Sequence, residues 1–225
     1  KSIDAVANES VLGYVNSGGV IAWVIVMLGA LAAILILFRS WFLRTNSSDS
    51  EIILGEIKKS VAKHEIENAI DTCKKHSGST ARVVTATLRN LERDRDHLED
   101  IVAENILYES PKLNRFGALI IVIAAVAPLL GLLGTVTGMI STFDVITQYG
   151  TGDPKLLSGG ISTALVTTQL GLVVAIPALI LGNLLSGWSN RIKDEMEKAA
   201  LQIINIYDAP ESIKKSDYLS LAEAV

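Results

Sequence analysis

A single cysteine, Cys73, leaves no partner for an intrachain disulfide and no basis for a thiolate metal cluster. Its residue type and place fit a small side chain on a helix face. A basic excess is also missing. Lys and Arg number 20 against 24 Asp and Glu, the net charge is −4, and the basic residues are dispersed among acids, so nucleic acid is not the expected partner. No glycine loop of the phosphate-cradling kind is present, which argues against ATP as an energy source. No Ser-His-Asp or metal-ligand grouping points to an enzyme, so no catalytic residue, metal or cofactor is expected. His64, His76 and His97 lack metal-site spacing and are expected at the surface. The chain begins at Lys1 without a basic-headed signal peptide, so its N-terminus is expected to be processed or preceded by further sequence.

Charge is missing from three long stretches: Ser10 to Phe38, Phe116 to Phe143, and Leu156 to Asn190. A helix needs about 20 predominantly apolar residues to cross a bilayer core of roughly 30 Å. With 49% hydrophobic residues and a mean hydropathy of +0.40, the expected fold is all-α, a polytopic membrane protein with three transmembrane helices. Long helices are expected to extend into a cytoplasmic helical domain.

Arg39 and Arg44 follow the first span, Lys112 and Arg115 precede the second, and Arg191 and Lys193 follow the third. The positive-inside rule therefore puts the N-terminus outside and the C-terminus inside. The expected order is a periplasmic segment 1–19, spans at 20–43, 113–146 and 157–189, a cytoplasmic helical domain 44–112, a periplasmic loop 147–156, and a cytoplasmic helix and tail 190–225. Trp23 and Trp41 sit where interface anchors would.

Residues 44–112 read as two soluble helices. Ile53, Ile57, Val61, Ile66, Ile70 and Cys73 recur at helical spacing, with Gly78 as the expected C-cap. Ser79 or Thr80 would open a second helix with Val84, Leu88, Leu91, Leu98 and Val102 on one stripe. Arg95 is the polar entry in that stripe, and Glu92 to His97 reads as a solvated helix face with i,i+4 pairs.

Spans two and three are rich in small and hydroxyl residues. Gly131, Thr135, Gly138 and Thr142 share a stripe, and Gly134 and Gly138 form a small-xxx-small pair. Ala164, Thr168, Gly171, Ala175, Ala178 and Gly182 form a matching stripe on span three, and Pro128 and Pro177 are expected to bend the two helices. Ser158, Ser162, Thr163, Thr167, Thr168 and Gln169 crowd the first half of span three. Two readings stand side by side. The hydroxyls bond back to carbonyls of their own helix in a packed hairpin, or they line a wet path. Neither stretch holds Asp, Glu, His, Lys or Arg, so a proton relay would need an acid from another chain.

Ala127-Pro128 with Gly131-Leu132-Leu133-Gly134-Thr135-Val136 resembles the second span of the ExbB/TolQ/MotA proton-channel family. Gly160 to Thr168, continuing Gly171 to Pro177 and Asn183, resembles the third. The match is nearest the ExbB/TolQ branch. The resemblance implies a homo-oligomer, expected as a pentamer, in the bacterial inner membrane. It would enclose a single-span ExbD/TolR-like subunit that carries an Asp. It also implies an ion path lined by Thr135, Thr168, Thr167, Thr163 and Thr142, with Gly131, Gly134, Gly138, Gly171, Pro128 and Pro177 in helix packing. The implied work is to use the proton motive force, through a TonB-like protein, to energise outer-membrane import. A TolQ-like envelope motor and a non-conducting scaffold stand as alternatives. Where the family commonly has Glu in its Gly-Ile-Ala-Glu-Ala-Leu segment this chain has Thr163, so no role of that Glu carries over; Thr167-Thr168-Gln169 stands where Ala-Thr-Ala is commoner, and this extra polar layer leaves proton and Na⁺ both open as the coupling ion.

Overall fold

A computed structural model describes residues 11–47, 50–76, 78–150 and 154–208. They form eight helices in chain order: α1 (Val11–Ser17), α2 (Gly19–Asn46), α3 (Ser50–Ala62), α4 (Ile66–Lys75), α5 (Ser79–Leu88), α6 (Arg95–Leu113), α7 (Gly117–Tyr149) and α8 (Pro154–Asp208). No strand occurs among the described residues. The chain divides into two units. One takes the chain through Arg39 together with Phe116–Leu185, and the other takes Ser40–Arg115 with the chain from Ser186 onward.

The first unit is built from three long apolar helices. Water is absent from a bilayer core, so only a structure that satisfies its own backbone can cross, and a helix does so within one segment. α2, α7 and α8 are each long and apolar enough to span. Their outward faces carry large apolar side chains, among them Met27 at 70%, Leu129 at 63% and Leu165 at 66% exposure. Soluble monomers rarely leave such continuous surfaces open to water. The chain is a polytopic membrane protein.

α8 has 55 residues, which is about 80 Å at about 1.5 Å per residue. That exceeds twice the roughly 30 Å of a bilayer core, so the helix must continue past it. Its final third carries Arg191, Lys193, Asp194, Glu195, Glu197 and Lys198, which marks the end that leaves the lipid. Both α7 and α8 run on through their prolines, Pro128 and Pro177. Each proline withdraws one N–H from the ladder but does not end the helix. Between α1 and α2, Gly19 takes a φ of +65°, and the Gly18 N–H closes the first helix on the Val15 carbonyl at 3.1 Å. A left-handed residue at this joint turns the chain at low cost because it is glycine.

The second unit has an apolar core drawn from all its helices. Leu43, Ile53, Ile57, Val61, Cys73, Val84, Leu88, Leu98 and Val102 are buried there with Ile192, Met196, Ile203 and Ile204 of α8. The stripe residues expected from spacing are thus in this core, with Ile66 and Ile70 partly buried against it.

The number of helices differs from the expectation. Four helices occupy the segment read as two. The first break falls at Lys63–Glu65. The Glu65 N–H reaches the Ser60 carbonyl at 2.9 Å, the His64 N–H reaches Val61 at 3.0 Å, and His64 has a φ of 58°. This is a Schellman ending with histidine where glycine is usual. The His64 ring meets Tyr207 edge-on with centroids 4.9 Å apart. The second break lies between Leu88 and Arg95, where Asn90 bonds back to Thr87 and Arg93 to Asn90, each at 3.0 Å. Leu88 and Leu98 therefore share a core without sharing a helix. Gly78 is not a C-cap. It precedes α5 with a φ of 147°, and His76 ends α4. Arg95 stands at the first position of α6 and bonds Glu99 at 3.1 Å and Asn205 at 3.0 Å, so it is a tie to α8 and not a break in a stripe.

Candidate functional site

The candidate site is the seam between α7 and α8 in the first unit. Gly131, Gly134 and Gly138 lie buried along one face of α7. A Cβ on Gly138 would lie 2.5 Å from the Gly160 carbonyl oxygen and 2.9 Å from the Ala164 nitrogen. One on Gly131 would lie 3.1 Å from the Thr167 carbonyl oxygen and from the Thr168 Cα, and one on Gly134 would strike the Thr167 side chain. From the other side, a Cβ on Gly171 would lie 2.7 Å from the Ala127 carbonyl oxygen. Two helices thus touch backbone to backbone over several turns. In lipid, where apolar burial supplies no drive between helices, this close van der Waals contact is what holds them. Pro128 is half-buried one residue beyond Ala127, and Pro177 is exposed.

The five threonines separate by exposure. Thr167 is fully buried against Gly134, and Thr142 is 5% exposed, with its hydroxyl where a side chain on Gly160 would go. Thr135, Thr163 and Thr168 are half-buried. Sequence reasoning grouped all five on one path, but only the last three retain an open side in this chain.

Each of the five hydroxyls donates to a main-chain carbonyl. Thr135 reaches Leu132 at 2.6 Å, Thr142 reaches Gly138 at 2.9 Å, and Thr167 reaches Thr163 at 2.8 Å. Thr168 lies 3.1 Å from the Ala164 oxygen and 3.3 Å across the seam from the Gly131 oxygen. Thr163 lies 3.1 Å from Gly159 in its own helix and 2.9 Å from the Ser17 carbonyl of α1. Back-bonding of this kind satisfies the one hydroxyl proton and leaves the oxygen lone pairs as acceptors. What these side chains present outward is therefore acceptor capacity without charge. A protonated carboxylic acid or a water could donate to it.

The structure also brings in residues that sequence reasoning did not assign. Tyr14 of α1 donates its hydroxyl to Gln169 Oε1 at 2.6 Å. With Thr163 on Ser17, this gives α8 two polar ties to α1. A Cβ on Gly18 would lie 3.0 Å from Val166, and one on Gly29 would lie 2.7 Å from Val174, so α1 and α2 flank α8 on a second face. Gly160 could have been found from its spacing four residues before Ala164. The α1 contacts had no such signal, because the partners are about 150 positions apart.

Comparison with known proteins adds a second line of observation. The family model described as the MotA/TolQ/ExbB proton channel family matches residues 75–198, which takes in all of α7 and most of α8. The chain is 32% identical over 202 residues to a putative biopolymer transport protein ExbB homolog of Methanothermobacter thermautotrophicus, covering 88% of this chain and 71% of that protein. It is 33% identical over 127 residues to the biopolymer transport protein exbB1 of Vibrio cholerae, covering 56% of this chain and 55% of that protein. It is 38% identical over 109 residues to a putative biopolymer transport protein, ExbB-like 3, of Synechocystis, covering 46% of this chain and 52% of that protein. The chain thus spans about half the length of the latter two.

Proposed function

The chain belongs to the MotA/TolQ/ExbB proton channel family, and from that footing we propose that it is the large subunit of an ion-driven motor in a bacterial inner membrane. In this reading several copies, five by family resemblance, surround a single-span ExbD/TolR-like partner that carries an aspartate. The work done is to energise biopolymer transport, in the form of TonB-dependent import at the outer membrane.

One observation carries the proposal. The α7–α8 hairpin offers half-buried threonines, with acceptor oxygens and no fixed charge, but neither Phe116–Phe143 nor Leu156–Asn190 contains a titratable side chain. Proton relays at membrane depth use ionisable groups. A wall of this kind suits an acid that arrives on another chain. Protonated, the acid donates to a threonine oxygen. Ionised, it draws water into the gap. Thr135 and Thr168 are the wall positions proposed here, and Thr163 is a third nearer α1. Thr142 and Thr167 support the wall from within the seam. Each charge that crosses gains about 2.3 kcal/mol per 100 mV, and repeated crossings are the source of work proposed for moving a partner helix against its ring.

The orientation proposed is N-terminus outside, with 147–156 periplasmic and 44–112 cytoplasmic, from the Arg and Lys excess at the span ends. Proteoliposome flux measurements test the division of labour. The chain alone is expected to conduct nothing above background, and the chain with an acid-bearing partner is expected to conduct in proportion to the proton gradient. Robust flux from the chain alone, or flux that survives Asp→Asn in the partner, overturns the proposal.

A further inference from the structure

Arg39 is 2% exposed, yet its Nε and Nη1 atoms have no hydrogen-bond partner among the described residues. Burying a charge without a partner is among the most costly arrangements a fold can adopt. The guanidinium lies over Gly117, where an added Cβ would strike Nη1 and approach Cζ to 2.7 Å and Nη2 to 2.9 Å. Gly117 is the first residue of α7, and the first bond of that helix is from the Ile120 N–H to the Phe116 carbonyl at 3.2 Å. The N–H groups of Gly117, Ala118 and Leu119 come before it and have no intrahelical acceptor. A buried cation without a partner and the positive end of a 33-residue helix thus converge on one spot.

Among the described residues of that unit, none neutralises it. Asp144 is the sole carboxylate among that unit's described residues, and it stands about 40 Å along α7 from Gly117 at about 1.5 Å per residue. The place also indicates the source of the anion. Arg39 immediately follows the first apolar stretch, and Phe38 and Phe116 pack edge to face beside it with centroids 5.9 Å apart. Phe38 is 44% exposed, and Trp41 follows three residues later at 70%. An exposed Trp at a span end marks the headgroup level of a bilayer.

We propose that Arg39 and the first turn of α7 form a binding site for the phosphate of an anionic phospholipid headgroup. The headgroup oxygens would take the guanidinium Nη2 edge, the one nitrogen of the group outside the sealed pair, together with the free N–H groups of the α7 first turn. This inference needs only that the chain spans a membrane, and it stands apart from the ion path.

The test uses the full chain in nanodiscs of equal parts phosphatidylcholine and phosphatidylglycerol, with lipid retention read by native mass spectrometry. The unmodified chain is expected to keep phosphatidylglycerol in preference to phosphatidylcholine. Arg39→Met is expected to lower that retention about tenfold or more, the scale of one lost charge-assisted hydrogen bond. Arg39→Lys keeps the charge but not the reach and fixed direction of the Nη2 donor, and should fall in between. Gly117→Ala reads the same site with Arg39 intact, since its Cβ displaces the guanidinium, and it too should lose the preference. Equal phosphatidylglycerol retention in the unmodified chain, Arg39→Lys and Gly117→Ala overturns the proposal. So does thermal protection by inorganic phosphate equal to that by the lipid, which would make the ligand a free anion. Protection of lipid-free chain by an added protein subunit would assign the counter-charge to a carboxylate and overturn it as well.

Discussion

Replacing Gly138 by alanine tests whether the α7–α8 seam is set by backbone contact. The added methyl would lie 2.5 Å from the Gly160 carbonyl oxygen, 2.9 Å from the Ala164 nitrogen and 3.1 Å from the Ala164 Cβ. Two of these three atoms are helix backbone and the third is an alanine Cβ, so no rotamer change relieves the clash. The helices must move apart, and contacts at Gly131–Thr167 and Gly134–Thr167 loosen with them. Overpacking of this kind costs about 1–3 kcal/mol. Alanine regains about 0.8–1 kcal/mol over glycine in a helix interior, so the expected net loss is about 0–2 kcal/mol. Gly159 supplies the control, because a Cβ there meets nothing within 4 Å. Gly159→Ala should therefore show the helix gain alone, about 0.5–1 kcal/mol. The measured quantity is the difference between the two variants, expected at about 1–3 kcal/mol. Unfolding in detergent followed by circular dichroism, or steric trapping in bicelles, gives that difference. Equal stabilities for Gly138→Ala and Gly159→Ala would refute the reasoning, since the same methyl would then cost nothing in the seam.

Three further outcomes follow from particular contacts. Thr168→Val should lower partner-dependent ion flux with little change in stability, whereas Thr167→Val should act mainly on stability, because Thr167 is fully buried and Thr168 is half-buried; paired flux and melting measurements separate the two, and the reverse pattern would remove Thr168 from the proposed wall. Glu109 is buried, which by itself raises its pKa, but hydrogen bonds from Arg82 at 2.6 Å and Lys112 at 2.8 Å outweigh that and hold it at about 2. Its stabilisation is thus present above the ordinary value of 4.5 and is lost as pH falls toward about 2, and with Arg82 and Lys112 half-exposed the loss should be about 1–3 kcal/mol; Glu109→Gln should flatten the acid limb of a pH-dependent unfolding series. His64→Val should destabilise the chain by about 1–2 kcal/mol more than His64→Asn, since a β-branched residue resists the φ of 58° that asparagine tolerates; chemical denaturation of both variants reads the difference directly.

The sequence alone determined what depends on neighbours along the chain. Length and apolar content of three stretches sufficed for a three-helix membrane protein, because in lipid a single apolar stretch of about 20 residues satisfies its own backbone only as a helix. The alanine, glycine and threonine pattern around Gly134 and Gly171 was legible as a small-residue surface, and the motifs it falls in were legible as a family. The helical spacing of Ile53, Ile57 and Val61 named core residues correctly, but spacing did not show the helix break after Ala62 or the one after Leu88. The turn at His64 uses a residue without a strong stop signal, held by a ring contact to Tyr207 about 140 positions away. Tertiary structure alone decided the pairings. Whether Thr167 or Thr168 faces the seam differs by about 100° of rotation about α8, which spacing does not resolve when both neighbours are threonine. The ties from Thr163 to Ser17 and Tyr14 to Gln169, and the burial of Arg39 on Gly117, join segments that sequence separation keeps apart. Their geometry follows from how whole helices pack, and packing is a property of surfaces in three dimensions that no local run of residues specifies.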